Sequence, residues 1–282
     1  MHDADDRRSW NRSQAGPGPV RRRALMATAA ALAVRPVAGQ TPRKWPYEQR
    51  CGRFVVHADF DWTHALPVTT VLEEIDRDVQ ATLRLPPSEN PIHVVVMKSE
   101  SAYRRYMETY FPKLPFRRAL FLRDRGPGML FTYQHPAVLD DIRHEVTHAV
   151  VNDDRPPLPL WIDEGIAEYF EPPSADRYAG NPYLAVVQEE LNHRSLIPLE
   201  TLEAIEDLAT FGDEHYRHSW AWVHFLLHRT PRSRELLVEY VRSFFAARDF
   251  RLSQAVNALF PDVALEVQQH FAALPHRPST DG

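Results

Sequence analysis

The sequence predicts an α+β fold, with a sheet-bearing first part followed by an all-helical second part. Up to residue 135, short apolar runs of strand length are interleaved with amphipathic helical stretches. From Pro136 onward, apolar residues recur with a helical period in nearly every segment. Composition permits a sizeable core: of 282 residues, 44% are apolar and 25% charged, the ordinary globular balance. The formal net charge is −5 with no long run of one sign, so the basic footprint of a nucleic-acid-binding protein is missing. No repeat at a fixed period is present.

Each element has its own local signal. Residues 54–60 (Phe-Val-Val-His-Ala-Asp-Phe) read as a strand. Residues 68–85 read as a helix because Val71, Leu72, Ile75, Val79 and Leu83 share one face, and Pro86-Pro87 ends it. Residues 92–97 are almost wholly apolar, as expected of a strand buried on both faces. Ser99 caps a helix running towards Tyr110, after which Pro112 and Pro115 break the chain. Residues 119–122 and 129–133 flank Asp124-Arg125-Gly126-Pro127-Gly128 and read as a hairpin or two neighbouring strands. Helices are expected over 137–152, 160–170, 183–193, 215–228, 232–247, 252–260 and 263–274. The organisation expected is a sheet subdomain over 43–135, a helical subdomain over 136–274 and a flexible tail over 275–282, with a cleft where the two parts meet.

The first 42 residues stand apart. Met1 to Pro19 is polar and charged, with little to bury. Arg21-Arg22-Arg23, an apolar stretch over 24–34 and the small residues Val37-Ala38-Gly39 follow in the order of a secretory signal, and the apolar part is too short to span a membrane. Arg22-Arg23-Ala24-Leu25-Met26 resembles a twin-arginine signal, although Arg35 and Pro36 are unusual so close to a cleavage site. Export to the periplasm or the medium is therefore expected, the alternative being a disordered basic tail. Cys51 is the only cysteine, which excludes an intramolecular disulfide and any Cys-based zinc site.

The chemistry is concentrated after Pro136. His144-Glu145-Val146-Thr147-His148 is an H-E-x-x-H pattern, and on a helix two histidines four apart can reach one ion at roughly 2.0–2.1 Å. Leu139, Ile142, Val146, Ala149 and Val150 form the opposite, core-facing stripe, which should turn His144 and His148 away from the densest packing. Glu145 is placed to take a proton from a metal-activated water. A catalytic zinc needs three protein ligands and an open fourth position. Glu164, in the segment Trp161-Ile162-Asp163-Glu164-Gly165-Ile166-Ala167-Glu168-Tyr169, would supply the third from a second helix, with Glu168, Asp163 and His215 as other candidates. Gly165 and Ala167 would let that helix approach closely, and the Pro- and Asp-rich stretch over 152–159 would make the turn.

The pair of motifs, H-E-x-x-H followed by Trp161-x-x-Glu164-Gly165-x-Ala167-x-Tyr169, resembles the gluzincin metallopeptidases, including compact bacterial peptidase-MA-like proteins. The resemblance covers about thirty residues. It implies a zincin-like fold, with a small mixed sheet over the active-site helix, one Zn2+ per chain and Glu164 as third ligand. The fifteen residues between His148 and Glu164 are fewer than in the related aminopeptidases, so no aminopeptidase specificity follows. Metzincins are excluded, because their Gly and third His would fall at Val151 and Asp154. Glu168, one turn beyond Glu164, is the candidate to orient a ligand histidine through its second nitrogen, with Asp163 as the alternative for that place. Tyr216, at the start of a later helix, matches the family's oxyanion-stabilising Tyr, with a buried structural Tyr, His215 and His218 as alternatives. The resemblance also implies that a peptide adds as a strand to the sheet edge above the helix, and Leu130, Phe131 and Thr132 are the expected edge residues. A peptide or protein substrate is therefore expected. The competing readings are a zinc-containing binding or scaffold module of the cell envelope and a helix-rich interaction protein carrying a chance motif.

Overall fold

Strand formation in the first part follows from where apolar side chains can be buried. In chain order the sheet-bearing part contains β1 (Tyr47–Cys51), β2 (Phe54–Ala58), α1 (Val68–Leu83), β3 (Ile92–Met97), α2 (Glu100–Tyr110), β4 (Ala119–Leu122) and β5 (Gly128–Tyr133). The remainder is α3 (Val138–Val151), α4 (Leu160–Phe170), α5 (Tyr183–Leu191), α6 (Leu199–Glu203), a short 3-10 turn (Leu208–Thr210), α7 (Asp213–His228), α8 (Pro231–Ser243), α9 (Leu252–Leu259) and α10 (Val263–Ala272). The computed structural model describes residues 45–62, 67–123, 126–153, 155, 158–243 and 250–275. The export segment expected over 1–42 and the tail from 276 lie outside them. Among the described residues no helix is long and apolar enough to cross a membrane.

The five strands form one mixed sheet in the order β1-β2-β3-β5-β4. β2, β3 and β5 run parallel at its centre, and β1 and β4 flank them antiparallel. β3 is apolar on both faces because both are covered. Val94 and Val96 join the core shared with α1 and α3, whereas Val95 and Met97 join Tyr103 and Met107 of α2 on the other side. Ser99 caps α2 as expected, its side chain accepting from the Ala102 N–H. α1 ends at Leu83, where Arg84 takes a left-handed φ of 50° and its N–H bonds the Gln80 carbonyl.

Two features depart from the sequence reading. Tyr47–Cys51 carries no strand-like alternation, yet it pairs with β2 through a two-residue loop in which Gly52 supplies the positive φ of 53°. Leu130, Phe131 and Thr132 are not on an edge: β5 lies between β3 and β4, and all three side chains are buried. Its parallel pairing with β3 runs from Ile92↔Gly128 to Met97↔Tyr133, and its other side pairs with β4. The outer edge beside α3 therefore belongs to β4.

The main core crosses the expected boundary at residue 135. It runs from Phe54 and Val94 through Ile142 and Val146 of α3 to Trp161 of α4, Trp220 of α7 and Phe271 of α10. α3 is thus held on one side by α1 and on the other by α4, and α4 in turn rests on α7.

Candidate metal centre

α3 and α4 bring the site together. His144 and His148 are four apart on α3, with rings 4.9 Å apart and nearly perpendicular. Their Nε2 atoms are 3.2 Å apart. Glu164 of α4 points at both, its Oε2 lying 3.5 Å from His144 Nε2 and 3.6 Å from His148 Nε2. Both carboxylate oxygens of Glu164 are buried without a hydrogen-bond partner. A buried carboxylate left in that state is costly, and a cation between the three groups removes the cost. The spacing fits such an ion. Ligand atoms about 2.1 Å from a common centre at the tetrahedral angle are roughly 3.4 Å from one another. Buried His144, His148 and Glu164 are therefore close enough to hold one metal ion.

The backbone explains why Glu164 reaches this position. A Cβ on Gly165 would lie 2.6 Å from the Ser219 carbonyl oxygen of α7, so only glycine lets α4 sit at this depth. At the other end Asn152 makes the turn. Its Nδ2 donates to the His148 carbonyl (3.0 Å) and to Asp163 Oδ1 (2.7 Å), while its Oδ1 accepts from the Leu158 N–H (3.0 Å). β4 is tied to α3 through Arg118, which grips Asp141 with two nitrogens at 3.1 and 2.7 Å.

Carboxylates lie close to the outer nitrogens of both rings. Asp163 Oδ2 lies 2.8 Å from His148 Nδ1, and Glu171 Oε2 lies 3.2 Å from His144 Nδ1. Glu168, expected to orient a ligand histidine, is buried on α4 one turn beyond Glu164. It sits close by on the same helix, with a carboxylate oxygen within 4.8 Å of His144 and Glu171 ligand atoms. Asp163 adjoins Glu164 and comes close to His148, while Glu171 at the end of α4 lies alongside His144. Glu171 and Asn152 carried no motif signal.

Glu145 faces the sheet edge. The Phe121 N–H of β4 donates to its Oε2 at 2.8 Å. Burial pushes its pKa up, against the opposing pull of His144, His148 and that N–H. At Glu164 burial also pushes up, but the two imidazoles outweigh it and hold the carboxyl below its ordinary range. The ligands did not turn away from dense packing as expected. His144 and Glu145 are 5% exposed, His148 2% and Glu164 not at all, because α4 lies across α3 and is itself covered by α7.

Of the oxyanion candidates, Tyr216 is buried in the first turn of α7, its ring edge-on to Phe211 with centroids 4.9 Å apart. His215 caps that helix, its Nδ1 accepting from the Gly212 N–H at 3.0 Å. His218 has both ring nitrogens engaged, Nδ1 by the Ile197 N–H (3.0 Å) and Nε2 by Glu190 (3.0 Å). No protein-family model matches the chain, and no curated protein matches it either.

Proposed function

We propose that the chain is a zinc-dependent peptidase of the gluzincin type, with a zincin-like arrangement of sheet and helices. The observation that carries the reading is the trio of His144 Nε2, His148 Nε2 and Glu164 Oε2 at 3.2–3.6 Å spacing around an unsatisfied buried carboxylate. Nitrogen and carboxylate donors in a three-ligand set suit Zn2+ with one open position. Zinc held there would polarise a scissile carbonyl and acidify a water molecule. Glu145, adjoining His144, takes the proton of the attacking water at its carboxylate and returns it to the departing amine nitrogen. The Phe121 N–H holds Oε2 of that carboxylate and leaves Oε1 for the water. Tyr216 donates its hydroxyl to the oxyanion that forms on the former carbonyl oxygen. A peptide substrate lies along the outer edge of β4, antiparallel partner of β5 and immediate neighbour of Glu145.

The burial of all three ligands favours a second reading, a zinc-containing scaffold without turnover. A buried Glu145 beside a three-ligand set weighs against it, since structural zinc normally has four protein ligands. The zinc-loaded protein should cleave members of a broad peptide library and lose that activity on chelation. Zinc uptake with no cleavage of any peptide would leave the scaffold reading. Export rests on the twin-arginine-like segment, and a mature protein that still begins at Met1 would exclude cleavage there.

A further inference from the structure

We propose that Glu171 is the positioning residue of His144, holding the ring in the tautomer and orientation that present Nε2 to the metal. The inference rests on the metal-site reading and adds a residue outside both motifs. His144 Nε2 faces His148 and Glu164, so the ring proton must sit on Nδ1 for Nε2 to offer its lone pair. Glu171 Oε2, 3.2 Å from Nδ1, is the acceptor for that proton. A carboxylate in this place makes the ring a stronger donor to the ion and removes its freedom to flip.

Glu171 is itself immobilised by the fold. It caps α4, and its N–H bonds the Ala167 carbonyl at 2.9 Å. Its own carbonyl accepts from Arg143 Nε at 2.6 Å. Consecutive residues of α3 thus grip one residue, Arg143 by its backbone and His144 by its side chain. Pro172-Pro173 follows, and Arg177 Nε donates to the Pro172 carbonyl at 3.3 Å while its guanidinium lies 5.0 Å from the Phe170 ring centroid. The end of α4 therefore cannot fray without breaking several buried contacts. Residues 164, 168 and 171 stand at i, i+4 and i+7, one stripe along the helix. The stripe carries the third ligand at its start and the acceptor for the first ligand two turns on. Asp163, the residue beside Glu164, places its Oδ2 2.8 Å from His148 Nδ1.

The test compares Glu171→Ala, Glu171→Gln and Glu168→Ala with the unaltered protein. Zinc affinity is read by competition with a chelator, the visible spectrum of the Co2+-substituted protein reports ligand geometry, and thermal melting of the metal-free protein reports folding. Glu171→Ala should weaken zinc binding about ten- to a hundredfold and alter the Co2+ bands. Its metal-free melting temperature should hold, because the Arg143 bond to the backbone carbonyl remains. Glu171→Gln keeps an acceptor of the same shape and should recover most of the affinity; it also serves if the alanine variant does not fold. Unchanged affinity and spectrum in Glu171→Ala, or a larger loss in Glu168→Ala, would overturn the assignment while leaving the zinc site standing. An unaltered protein that takes up no zinc would overturn both.

Discussion

Gly165→Ala probes the contact on which the position of Glu164 depends. The added methyl would meet the Ser219 carbonyl oxygen at 2.6 Å, its carbon at 2.8 Å and Val223 Cγ2 at 3.0 Å. Two of the three obstacles are helix backbone and cannot rotate away, so α4 and α7 must separate by several tenths of an ångström. Overpacking of this kind costs about 1–3 kcal/mol, and a rigid obstacle belongs at the upper end. Alanine gains back about 1 kcal/mol of helix propensity over glycine, which leaves a net loss of about 2 kcal/mol. For a domain of this size that is a fall in Tm of about 4–8 °C. The same displacement moves Glu164 against His144 and His148, so zinc affinity should fall by about tenfold or more, since a site tolerates only about 0.5 Å of misplacement. Gly126→Ala is the control, because a Cβ there meets nothing within 4 Å. Calorimetry of the metal-free proteins and chelator competition read the two effects. A Gly165→Ala protein as stable as its parent, with undiminished zinc binding, would refute the close approach of α4 to α7.

Glu145→Gln keeps the shape of the base and leaves all three ligands in place, so zinc should remain bound while peptide cleavage falls by several powers of ten; near-normal turnover would remove Glu145 from the mechanism. Tyr216→Phe should lower kcat by about a hundredfold with little change in KM, and an unchanged kcat with a lower Tm would make Tyr216 purely structural. Acid should destabilise the fold through a buried histidine cluster. His224 bonds His270 (2.9 Å) and the Tyr178 carbonyl (2.9 Å), and His228 Nε2 bonds the Tyr169 hydroxyl (2.9 Å). Burial lowers the three pKa values to about 3 for His224, about 4 for His228 and about 4 for His270. The unfolded chain takes up these protons below about pH 6.5 and the folded chain does not, so stability is full above that pH and is lost as pH falls towards 4. With up to three protons involved, the slope approaches about 4 kcal/mol per pH unit near pH 5. Urea midpoints at pH 7, 6 and 5 measure it, and a flat profile would sink the argument.

Local periodicity made α1, β3, α2 and most of the helical half legible, because one residue pattern reports one buried face. Long-range pairing has no such local record. The 129–133 strand reads as an edge because it adjoins α3 in sequence, whereas its partners are β3 and β4. β1 escaped notice because Tyr47–Cys51 is exposed over its first four residues and leaves no apolar alternation to read. At the site, His144, Glu145 and His148 followed from spacing on one helix. Glu164 followed from the pair of motifs, and Gly165 has the packing role expected of it. Of the carboxylates beside the two Nδ1 atoms, Asp163 was among the candidates the sequence offered and Glu171 was not. Which of Asp163, Glu168 and Glu171 meets which ring depends on how α4 crosses α3, and sequence spacing does not encode that crossing. Burial of the ligands was missed for a related reason, since the helix that covers α4 lies some fifty residues further along the chain.

The central claim is that one zinc ion sits between α3 and α4. Anomalous diffraction at the zinc edge, from crystals of the zinc-loaded protein, tests it most directly. A single strong peak is expected, about 2.0–2.2 Å from His144 Nε2, His148 Nε2 and a Glu164 carboxylate oxygen. A peak at any other cluster of side chains, or none at this trio in fully loaded protein, would contradict the account.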